Sequence, residues 1–92
     1  MDIKNIVEFA KQKRRKPKNI VARGLIINFL LYNNYKRYLP DEIQEFLEIP
    51  QSTFYDNKNK QARFEDHYCC EYFNQIINDN HSQLFELINK TI

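Results

Sequence analysis

His67, Cys69 and Cys70 are the residues of this chain that come nearest to a catalytic pattern. A histidine beside a cysteine can take the thiol proton and leave a nucleophile. On a helix, Cys70 lies three residues from His67, within touching range. Such pairs are normally assembled across a fold, with a third group orienting the base. The ordinary reading is therefore a half-buried cysteine, acting as a small hydrophobe, and a surface histidine. Zinc wants four ligands at recurring spacings, and two adjacent cysteines with two distant histidines do not supply them. Asp41, Glu42, Glu45 and Glu48 read as a solvated acidic face, without the turn that would converge them on a cation. The single glycine excludes a Gly-rich phosphate loop. No catalysis, no cofactor and no metal are expected.

A second pattern belongs to recognition. If the segment after Pro50 is helical, Gln51, Ser52, Tyr55 and Asp56 face outward. Gln pairs bidentately with adenine, and Asp accepts from cytosine N4. An acid near phosphates repels them, so Asp56 must read a base or pair with Lys60, four residues on. Lys11 to Lys18, KQKRRKPK, carries six positive charges in eight residues. Two readings compete for it: a solvated linker, or an arm whose Lys13, Arg14, Arg15 and Lys18 contact phosphates. Arg23, Lys58 and Lys60 would hold the same backbone.

The elements that must position these residues read as helices. Residues 1–12 form a short helix capped by Asp2, with Ile3, Ile6, Val7 and Phe9-Ala10 apolar. Pro17 ends the basic run, because the residue before a proline avoids the helical region. A central helix runs from Lys18 or Asn19 to about Asn33, and its apolar centre implies burial on more than one side. Tyr32, Tyr35 and Tyr38 lie three apart, a spacing for packing over the core rather than for base stacking. Pro40, Asp41 and Glu42 suit a helix start, and Ile43, Phe46 and Leu47 give it one apolar face. Glu48-Ile49 breaks that face. Pro50 opens a second short helix with Phe54 inward, and Asn57 to Arg63 is its exposed polar end. Apolar residues at 43, 47, 49 and 54 have the spacing of a helix-turn-helix. Glu48 stands where such a turn usually carries glycine, so the turn is either strained or built differently. A helical pattern resumes at Phe64 through Tyr68, Tyr72-Phe73 and Ile76-Ile77. Asp79-Asn80 ends it, and a last helix, capped by His81 or Ser82, buries Leu84, Phe85, Leu87 and Ile88.

The 92 residues predict one all-α domain, a small bundle of five to six helices around a central helix-turn-helix. Residues 1–18 are its first helix and basic arm, 19–63 its central helix and helix-turn-helix, and 64–92 its C-terminal helices. One glycine leaves few positive-φ turns, which argues against an all-β fold. No apolar run reaches the roughly 20 residues of a membrane span, and no signal-peptide stretch is present, so a cytoplasmic protein without membrane contact is expected. The net charge of +2 conceals an asymmetry. Residues 1–40 hold ten basic and two acidic residues, +8, while residues 41–92 hold four against ten, −6. One face can meet an anionic polymer while another stays acidic.

Residues Val7 to about Ile77 resemble the C-terminal DNA-binding domain of the bacterial replication initiator DnaA, a Trp-repressor-like helix-turn-helix group. The match rests on Lys13-Arg14-Arg15 ten residues before Arg23, and on the apolar helix that follows. It continues through Leu39-Pro40 with Ile43 and Phe46, the Ser52-Thr53-Phe54 step, and Asp66 and Tyr68 further on. The resemblance implies that Arg23 reaches a minor groove, that Ser52 and Thr53 lie at the major-groove face, and that Lys13, Arg14 and Arg15 sit near the backbone. The family's Gly pair and Arg-Asp-His are replaced by Glu48-Ile49-Pro50-Gln51, one residue shorter, and its usual proline by Ala22. A different DNA sequence is therefore expected, from a stand-alone relative of the kind found in phages, plasmids or mobile elements.

The expectation is a non-catalytic, sequence-specific binder of double-stranded DNA that regulates transcription or replication, with a homodimer on a two-fold site as one arrangement. The alternative is a protein-interaction module, such as a phage inhibitor of a host protein, that keeps the fold without reading DNA.

Overall fold

A computed structural model describes residues 1–60 and 68–91, and among them all regular structure is helical. Helix α1 (Ile3–Lys11) starts where Asp2 accepts the Asn5 amide and Asn5 returns the bond to the Asp2 amide, at 3.1 and 3.0 Å. This reciprocal cap satisfies two amides that the helix start leaves open. Ile3, Ile6, Val7 and Ala10 form its buried stripe.

Helix α2 (Pro17–Tyr32) has Pro17 at its first turn and Lys16 extended before it. Every residue from Asn19 to Ile27 is buried, so α2 is the axis of the bundle, packed by α1 on one side and by later helices on others. Asn33 turns the chain out of α2. Its Oδ1 accepts the amides of Tyr35 and Lys36, and its Nδ2 donates to the Phe29 and Lys36 carbonyls.

Of the three tyrosines in this region, only Tyr38 packs in the core, at 4% exposed, and its hydroxyl donates to Asn89 Oδ1 at 2.8 Å. Tyr32 and Tyr35 stand 57% and 68% exposed, which corrects the expectation that all three cover the core. A three-residue spacing rotates through the surface once the helix has ended, and Tyr35 stacks on His81 instead.

Helices α3 (Pro40–Leu47) and α4 (Gln51–Lys60) follow, joined by Glu48, Ile49 and Pro50. Ile43, Phe46 and Leu47 are buried on α3. Glu48 lies in the left-handed region at φ 57° and ψ 44°. The amide of Glu48 donates to the Glu45 carbonyl and that of Ile49 to the Gln44 carbonyl, a Schellman closure with Ile49 and Ile43 both in the core. The turn is thus the strained one.

Replacing Glu48 with glycine is expected to raise stability by roughly 1 kcal/mol, the usual cost of a side chain in this conformation. That corresponds to about 4 °C or more in melting temperature for a domain of this size. The 3.7 Å pair between Lys11 and Glu48 would be lost, but Glu48 is solvated and such pairs add little. A thermal melt that stays level or falls would contradict the left-handed turn.

Helix α5 (Tyr68–Asp79) buries Cys69, Cys70, Phe73, Ile76 and Ile77, and α6 (His81–Thr91) buries Leu84 and Ile88 with Phe85 and Leu87 half-covered. Both close the core around α1, α2 and α3. The expected Phe64, Asp66 and His67 lie outside the described residues, as does the polar stretch from 61. None of the described helices is long and apolar enough to cross a membrane.

Candidate nucleic-acid interface

Helix α4 is less buried than α3, because only Phe54 and Asn57 are buried on it. Gln51, Ser52, Tyr55, Asp56 and Asn59 are exposed, while Thr53, Lys58 and Lys60 sit at the margins. At 3.6 residues per turn one inward residue in three or four suffices to anchor a helix, which leaves the rest of α4 polar and outward.

Beside it lies the basic segment between α1 and α2. Lys13, Arg14, Arg15 and Lys18 are all exposed. The Lys18 ammonium rests over the Phe9 ring, 4.9 Å from its centroid. A cleft of about 300 Å³ separates this segment from α4. Lys13, Arg14 and Arg15 border it on one side, and Pro50, Thr53, Asp56 and Lys60 on the other. Asp56 and Lys60 form an ion pair at 2.9 Å, the second of the two options that the sequence left for that acid.

Arg23 is not at the surface. It is 4% exposed, and its guanidinium is committed inside the protein. Nε donates to Asn57 Oδ1 at 3.0 Å, and Nη2 donates to the Arg14 carbonyl at 2.7 Å. Nη1 donates to the carbonyls of Gln12 and Ala10. Arg23 therefore does not reach a groove from this position, contrary to the expectation from the resemblance; it ties the basic segment to α4. The physical reason is its place in the buried run of α2, where the charge is tolerated because three carbonyls and the Asn57 amide oxygen take four of its five N–H groups at the inner end of the cleft. Burial pulls the guanidinium down from the ordinary arginine range, yet arginine stays charged at any working pH.

Asn57 completes the bracket by donating from Nδ2 to the Thr53 carbonyl at 2.8 Å. Reasoning from sequence put Asn57 on an exposed helix end. The signal that could have found it is its place three residues after Phe54, on the same helical face.

The cysteines read as a nucleophile candidate are buried at 5% and 8%. Burial pushes the Cys69 thiol up; a backbone hydrogen bond opposes this and Cys70 adds to it. A raised thiol holds less of the reactive thiolate.

Searched against protein-family models, curated proteins and solved structures, the chain matches none of them. Its own residues offer donors and acceptors on one helix face and a row of cations across a cleft.

Proposed function

We propose that this protein binds double-stranded DNA sequence-specifically and without catalysis, as a helix-turn-helix protein that regulates transcription or replication. In this reading α4 enters the major groove, Gln51, Ser52 and Tyr55 meet base edges, and Lys13, Arg14, Arg15 and Lys18 hold the phosphate backbone. The observation that carries it is the Arg23 bracket. It fixes the backbone of the basic arm at Gln12 and Arg14 and the inner face of α4 at Asn57 with one side chain. A solvated linker needs no such anchoring; an arm that must sit at a set distance from a reading helix does. The resemblance to the initiator's DNA-binding domain supports the same assignment.

The test is selection from a random duplex library at two salt concentrations. Enrichment of one motif at both is the expected result. Retention of all sequences alike, vanishing as salt rises, would leave only electrostatic attraction.

One observation favours a second reading, a protein-interaction module. Glu48 and Asp56 line the same cleft as the arginines, and a mixed-charge cleft also suits a polypeptide partner. Absence of any duplex retention in the selection would move the assignment there.

A further inference from the structure

We infer that Tyr32 and Lys58 form a second phosphate-binding flank, on the side of α4 away from the basic arm. The inference rests on the DNA-binding reading above; the sequence had already given Lys58 to the phosphate backbone, and what is added is Tyr32 and the separate flank on which the two sit. Successive residues on a helix turn by about 100°, so Lys58 and Lys60 leave α4 on opposite flanks. Lys60 borders the arm cleft. Lys58 turns instead toward the C-terminal end of α2, where its ammonium lies over the Tyr32 ring, 5.5 Å from the centroid. Asn28 Nδ2, which donates to the Gly24 carbonyl at 2.8 Å, also approaches the Lys58 carbonyl at 3.5 Å, a long contact.

Tyr32 is 57% exposed, which packing of the core does not explain. A ring that holds an ammonium in place reduces the freedom it must lose on binding, and a tyrosine hydroxyl donates to phosphate oxygens. The major groove is about 12 Å wide, with a phosphate strand along each edge. With α4 seated in it, the arm cleft on the Lys60 flank and Tyr32 with Lys58 on the other flank would each face one of those edges.

The test is the salt dependence of binding to one fixed duplex, measured for wild type, Lys58→Gln, Tyr32→Ala and the triple change of Lys13, Arg14 and Arg15 to Gln. Lys58→Gln should make the slope of log K against log salt shallower by about 1 without changing the order of preferred sequences. Tyr32→Ala should weaken binding several-fold, and both variants should melt near wild type because neither side chain is in the core. A wild-type slope in Lys58→Gln, with a reduced slope in the arm variant, overturns the second flank and leaves the DNA reading standing. No salt-dependent retention by wild type overturns both.

Discussion

Changing Lys13, Arg14 and Arg15 together to glutamine should lower duplex affinity steeply and flatten its salt dependence, while the fold survives. If wild type neutralises about six phosphates, its slope is near −5, and a fourfold rise in salt costs on the order of a thousandfold in affinity. Removing three contacts brings the slope to about −3, and the same rise in salt then costs only some sixtyfold. The three side chains are exposed, so their loss leaves no cavity. The Arg23 bracket also survives, because it grips the Gln12 and Arg14 carbonyls and not their side chains. Fluorescence anisotropy across a salt series, with a thermal melt as control, decides the matter. A variant that melts normally and keeps the wild-type slope would show the arm to be a solvated linker after all.

The second large effect is expected at Arg23, and it falls on stability first. Arg23→Met keeps most of the side chain's volume but leaves Asn57 Oδ1 and the carbonyls of Ala10, Gln12 and Arg14 without their donor. An unsatisfied buried polar group costs roughly 1–3 kcal/mol, and water can reach some of these four at the cleft. A net loss of about 3 kcal/mol is expected, a large share of the 5–15 kcal/mol that holds a domain together. The melting temperature should drop by about 12 °C or more. Arg23→Lys should recover little, since one ammonium cannot span acceptors on both α4 and the arm. No pH dependence should accompany either loss, because the guanidinium stays charged over the accessible range. A melt of Arg23→Met within about 2 °C of wild type would mean that the bracket is not what joins arm to helix.

These two experiments separate charge from position. The arm variant keeps the geometry and removes the cations; the Arg23 variant keeps the exposed cations and releases the segment that carries them. Duplex binding that fails in both, with stability lost only in the second, is the pattern expected of a pre-set arm.

Helix positions were legible in the residues because their signals are local. Asp2 caps α1, Pro40 opens α3, and the break at Glu48 to Pro50 separates α3 from α4, each through bonds or clashes within a few residues; α2 begins at Pro17 itself, just ahead of the Lys18 or Asn19 start read from the sequence. The outward set Gln51, Ser52, Tyr55 and Asp56 was legible for the same reason, as one inward Phe54 fixes the phase of a short helix. Which way a charge turns is a different matter. Arg23 read as a groove contact, although its setting in an unbroken apolar run was itself a warning. Only the meeting of α1, α2 and α4 supplied the carbonyls and the amide that make its burial tolerable. Asn57 became a core residue, and Tyr32 a surface one, by the same route. Backbone propensity and capping act over one turn of chain, whereas the partner that satisfies a buried guanidinium comes from 34 residues away and exists only after the helices have packed.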